Sequence, residues 1–115
     1  MARDTRRTSW IKAARRDFEV FPQEAQTRLA RALTIIAEGG KPDIAKPMRG
    51  LGSGVLELAL RYRGDAFRLV YALAIDSDIW VIHAFQKKSK TGTRTPKPEI
   101  DLVRERLKRH TEKVR

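Results

Sequence analysis

The segment from Val55 to Lys87 constrains the fold most, because its apolar residues recur with a period of two across three successive runs. In "VLELALRY", Leu56, Leu58, Leu60 and Tyr62 fall on one side and Val55, Glu57, Ala59 and Arg61 on the other. In "AFRLVYALA", Phe67, Leu69, Tyr71 and Leu73 oppose Arg68, Val70 and Ala72. The third run, "IWVIHAF", is apolar on both sides. Arg63-Gly64-Asp65 and Asp76-Ser77-Asp78 separate the runs as tight turns, so the spacing predicts an antiparallel meander. A strand apolar on both sides needs cover on both faces, which makes the third run central or overlain by the C-terminal segment.

The flanking segments have helical period. "RRTSWI" reads as a short first strand. From Ala13, "AARRDFEVF" places Ala14, Phe18 and Phe21 at helical spacing. Pro22 suits the first turn of a second helix, whose stripe is Ala25, Leu29, Leu33, Ile36 and Ala37. Gly39-Gly40 and Pro42 end it, and the Pro- and Gly-containing stretch "KPDIAKPMRGLGSG" reads as a loop. After residue 96, Ile100, Val103, Leu107 and Val114 mark a thin helical stripe, with Glu99 near its start and Lys108, Arg109 and Lys113 near its end. The expected order is β-α-α-β-β-β-α. This is an α+β fold in one domain over residues 1–115, an antiparallel sheet with a helical hairpin on its leucine face and a C-terminal helix.

Charge narrows the partners. Of a formal +11, residues 83–115 carry eleven basic against four acidic side chains, and residues 21–82 are nearly balanced. A basic surface of this kind meets nucleic acid first, with an acidic protein as the other class. The chain has no apolar run able to span a bilayer and no lipidation motif, so a membrane partner is not expected. Its first residues lack an apolar signal core, and the cytosol is the expected address. There is no cysteine, and the two histidines show no metal-ligand spacing, so no metal or other cofactor is expected. "GLGSG" precedes a strand rather than a helix and reads as a connection, not a phosphate loop.

One constellation remains on the sheet face away from the leucines: Glu57, Arg61, Arg68, His83, Lys87 and Lys88. A plain account makes Glu57 and Arg68 a cross-strand ion pair and His83 a core histidine with its hydrogen bonds met. Convergence argues for more. Arg68 is mid-strand, where an unpaired cation is expensive, and the lysines begin where the neighbouring strand ends. Lys87, Lys88, Lys90 and Arg94 fall within eight residues, an arrangement that repels itself unless an anion comes to meet it.

"FRLVYAL", a short acidic turn, "WVIHAFQKKSKTGTRTP" and a following helix resemble the RelE/ParE superfamily of bacterial toxins, and its phage-derived Gp49-like, HigB-type branch most closely. "WIKAARRDFEVFP" and "KPMRGLGSGVLELALRY" are similar to that branch's opening helix and second strand, so the resemblance runs from about Trp10 to Leu107. It implies the toxin of a type II toxin–antitoxin pair, a ribosome-dependent endoribonuclease whose partners are mRNA on the ribosome, ribosomal RNA and a helix-turn-helix antitoxin. On that reading RNA supplies its own 2′-hydroxyl nucleophile and no metal is needed. Arg68 with Lys87 or Lys88 would stabilise the transition state. His83 would serve as acid or base, and Glu57 as base or as the group that orients Arg68. Arg61, Lys90 and Arg94 would hold neighbouring phosphates. ParE-type relatives poison DNA gyrase on the same fold, and a non-enzymatic nucleic-acid-binding module would also explain the charge.

Overall fold

The computed structural model describes residues 6–52, 54–73, 78–87 and 94–114, with side chains as far as residue 109. Strand β1 (Thr8–Trp10) leads into helix α1 (Lys12–Phe18) and helix α2 (Gln23–Ala37). Strands β2 (Ala45–Pro47), β3 (Val55–Tyr62), β4 (Asp65–Leu73) and β5 (Ile79–Lys87) follow, and helix α3 (Lys97–Val114) closes the order. The five strands form one sheet in the order β1-β5-β4-β3-β2.

The expected meander is β3-β4-β5, antiparallel throughout. Its first turn has the geometry of a two-residue hairpin: Arg63 and Gly64 both take positive φ, 53° and 85°, between the paired residues Tyr62 and Asp65. The expected second turn falls mostly on residues 74–77, outside the described residues.

Two features differ from expectation. Ala45–Pro47, inside the supposed loop, adds a strand antiparallel to Leu56–Leu58. Three residues are too few to show alternation, and Pro47 is tolerated there because a sheet edge leaves amide positions unpaired. The first strand pairs with β5 in parallel, Thr8 opposite Ile79 and Trp10 opposite Val81, so the sheet is mixed rather than wholly antiparallel. Helix α1 also ends at Phe18, earlier than the stripe through Phe21 implied. Phe21 still reaches the core, since Gln26 Nε2 donates to the carbonyls of Glu19 and Phe21 and fixes the bend between α1 and α2.

The leucine face carries the main core. Leu58, Leu60, Phe67, Leu69 and Tyr71 pack under Ala14, Phe18, Phe21, Ala25, Leu29, Leu33 and Ile36 of the helical hairpin. Phe21 meets Phe67 edge-on at 5.0 Å between ring centroids, and Trp10 lies 4.9 Å from Phe18. The opposite face has a smaller cluster of Met48, Val55, Val70, Ile82, Phe85 and Val103, with Ile100 and Leu107 of α3 partly buried against it.

Strand β5 supplies both clusters because it is irregular. Val70 pairs with His83 and Tyr71 with Val81, which leaves Ile82 as an extra residue in a bulge. Without it, alternation from Ile79 and Val81 would send His83 to the leucine face. The bulge resets the phase, so Val81 and Ala84 both join the main core while Ile82 and Phe85 join the smaller cluster.

Candidate functional site on the α3 face of the sheet

Directly paired strand residues share a face. The face under α3 therefore carries Glu57, Ala59 and Arg61 of β3, Ala66, Arg68 and Val70 of β4, and His83, Phe85 and Lys87 of β5. Glu57 faces Val70 and Arg68 faces Ala59, so the acid and the base meet on a diagonal rather than head-on. Arg68 Nη1 donates to Glu57 Oε1 at 3.0 Å. The plain expectation of a cross-strand ion pair is met, and Arg68 is not an unpaired cation.

This pair is deeply buried. Glu57 is 1% exposed, Arg68 3% and His83 3%. An ion pair so enclosed is weak evidence for stability by itself, because desolvation offsets much of its attraction. What satisfies it further is Thr95, whose hydroxyl donates to Glu57 Oε2 at 2.7 Å and accepts from Arg68 Nη1 at 3.3 Å. Lys46, on the unexpected strand β2, brings its ammonium to 3.9 Å from Glu57 Oε1 while its side chain stays 46% exposed.

His83 is also fully engaged. Arg106 Nη1 lies 3.1 Å from Nδ1 and donates to the Ile82 carbonyl at 2.9 Å. A guanidinium has no acceptor, so Nδ1 must accept and the ring proton sits on Nε2. From there it is donated to Glu99 Oε1 at 2.6 Å. The ring stacks on Phe85 at 5.2 Å between centroids, with 22° between planes. In this arrangement α3 occupies both nitrogens.

The remaining predicted residues are more peripheral. Lys87 lies on the same face, opposite Ala66, and its ammonium donates to the Arg94 carbonyl at 2.6 Å, tying the returning chain to the strand end. Arg61 is exposed at the far end of β3, and Arg94 is exposed before α3. Lys88 and Lys90 lie outside the described residues. The structure thus joins Glu57 to Arg68 directly and sets His83 one strand away across Val70.

Thr95, Glu99, Arg106 and Lys46 were not singled out from sequence. A signal existed for two of them. Glu99, Val103 and Arg106 lie at i, i+4 and i+7, on one side of a helix, and Val103 belongs to its apolar stripe. An acid and a base on that stripe need buried partners.

Residues 16–108 match the family described as phage-derived protein Gp49-like. The chain belongs to that family. The Escherichia coli toxin RelE, in a mutant solved in the free state, superposes with a TM-score of 0.63 at 17% identity, covering 91% of this chain and 97% of RelE. The RelBE2 toxin–antitoxin complex of Mycobacterium tuberculosis gives a TM-score of 0.52 at 15% identity, over 72% of this chain and 99% of the matched one. No curated protein gives a significant sequence match. At these identities the structural likeness establishes the fold, which this Gp49-like chain shares with RelE.

Proposed function

We propose that this Gp49-like protein is the toxin of a toxin–antitoxin pair and acts as a ribosome-dependent endoribonuclease on mRNA. The observation that carries the reading is the single sheet face on which Glu57, Arg68, His83 and Lys87 are gathered in a RelE fold. The chemistry suits the residues. The RNA 2′-oxygen attacks the adjacent phosphorus, the bond to the 5′-oxygen breaks, and the products are a 2′,3′-cyclic phosphate and a 5′-hydroxyl. Negative charge grows on the phosphoryl oxygens, where Arg68 and Lys87 act. Glu57 orients Arg68, and His83 moves a proton once its partners on α3 release it. Arg61 and Arg94 hold flanking phosphates. An antitoxin partner follows by analogy with the RelBE2 complex, and the excess cations of residues 83–115 suit an acidic segment of it.

The burial of Glu57, Arg68 and His83 favours a second reading, a ParE-like toxin that blocks gyrase by binding and never presents these groups to a phosphate. Induced expression followed by primer extension on a reporter message separates the two. Cuts inside translated regions with 5′-hydroxyl ends are expected. Intact messages with gyrase-dependent DNA breaks would replace the ribonuclease with the gyrase reading.

A further inference from the structure

We propose that the segment from Arg94 to Arg106 is a displaceable cover, with the Thr95 hydroxyl standing where an incoming phosphate oxygen must go. The inference deepens the ribonuclease reading, since it rests on Arg68 as the phosphate contact. Among the described residues, four polar ties hold this one continuous segment to the sheet, and Arg104 adds a long contact to the Gly50 carbonyl at 3.5 Å. The Arg94 carbonyl accepts from Lys87, Thr95 bridges Glu57 and Arg68, Glu99 accepts from His83, and Arg106 donates to His83 and to the Ile82 carbonyl. Its apolar hold is thin, with Val103 fully buried but Ile100 and Leu107 only partly so.

The geometry makes exclusion concrete. Arg68 is 3% exposed, so no anion reaches its guanidinium while Thr95 is in place. The Thr95 hydroxyl spends its single donor on Glu57 and accepts from Arg68, so it engages both members of the buried pair. When the segment lifts, water takes over these bonds to Glu57 and Arg68, and His83 regains two free nitrogens. The described form is the closed state, and substrate contacts made only after opening pull the equilibrium across.

Thr95→Val removes the hydroxyl at nearly constant shape and leaves the closed state with buried groups it no longer satisfies, whereas Thr95→Ser keeps it. Glu99→Ala releases His83 from a partly exposed position without touching the buried pair. The probe is inorganic phosphate, read by the ¹⁵N arginine side-chain signal of Arg68, assigned by its loss in Arg68→Lys. Amide exchange in residues 97–107 is measured alongside. Phosphate should shift the signal at about tenfold lower concentration in Thr95→Val and in Glu99→Ala than in the native chain, with α3 exchange faster by a similar factor. Thr95→Ser should behave as native. An equal phosphate midpoint in the native chain and both variants overturns the cover. So does tighter phosphate binding with unchanged α3 exchange, which would mean that phosphate enters beneath a segment that never lifts. RNA cleavage enters neither readout, so a chain that never cuts RNA can still confirm the cover, and one that cuts RNA can still refute it.

Discussion

The two faces of the sheet are built on opposite principles. Under α1 and α2 the strands present leucines and aromatics, and the helices answer with an unbroken apolar surface from Ala14 to Ala37. Under α3 they present an acid, a base and a histidine, and they are met by the Thr95 hydroxyl just before the helix and by the helix's own carboxylate and guanidinium groups around one deeply buried valine. Apolar burial is non-directional and strengthens with area, at about 25 cal/mol per Å². Polar pairing is directional, and its net worth is small because water offers the same bonds. One face is therefore made to stay shut, and the other can exchange its partners.

The sharpest attack on this contrast uses two neighbours on one strand. Leu69→Ala, in the main core, should lower global stability by about 3–5 kcal/mol through lost burial and a cavity. Arg68→Ala should cost about as much for another reason, since it strands the Glu57 carboxylate in the interior. The causes separate in a second step. Replacing both members, Glu57→Leu with Arg68→Met, should recover most of the Arg68→Ala loss, read as the urea midpoint at unchanged slope. If the double variant is as unstable as the single, the ion pair holds the α3 face more firmly than described. The Arg68→Ala loss also means that an inactive Arg68 variant needs its fold checked before its activity is interpreted.

Alkaline pH probes the leucine face through Tyr71. Burial raises the Tyr71 phenol above its ordinary value of 10.0, because ionisation there would strand a phenolate. A raised folded value means that stability is unaffected below the unfolded value and falls as pH climbs above it towards the folded one. Urea midpoints of the native chain should drop above pH 10, and Tyr71→Phe should remove part of that drop. A Tyr71→Phe profile that overlays the native one would show the phenol to be solvated. Weaker still is Glu99→Ala, expected to cost about 1 kcal/mol globally. The smallest change lies off both faces. Arg63 holds a positive φ that suits asparagine better, so Arg63→Asn should gain about 0.5 kcal/mol, less whatever its contact over the Tyr62 ring contributes. A thermal melt reads it.

The apolar face was legible in the sequence because its information is local. Alternation from Leu56 to Leu73 and the stripe from Ala25 to Ala37 each specify an element and its buried side without knowledge of the partner. The polar face was legible only in half. Glu57, Arg68 and His83 stand out as charged or titratable residues in strands, but what completes them comes from residues whose local roles look ordinary. Glu99 passes for a helix-start acid, Arg106 for one of several cations on a basic helix, and Thr95 for a loop residue beside a proline. The bulge at Ile82 was hidden as well, because a strand apolar on both sides reads alike in either phase. Strand β2 was missed for want of length.

The parallel pairing of Thr8–Trp10 with Ile79–Val81 bears on the order in which the chain can assemble. The helical hairpin and the β3–β4 hairpin close short loops, whereas β1 must wait for a partner some seventy residues downstream. Loop-closure entropy makes such a contact late. During synthesis the N-terminal strand therefore has no edge to join until β5 has left the ribosome, and α3 follows only after that. The sheet closes only once β5 has been made, so a message cut anywhere before the codons for β5 yields no finished sheet. If the chain cuts translating messages, its own transcript included, that late closure limits its supply.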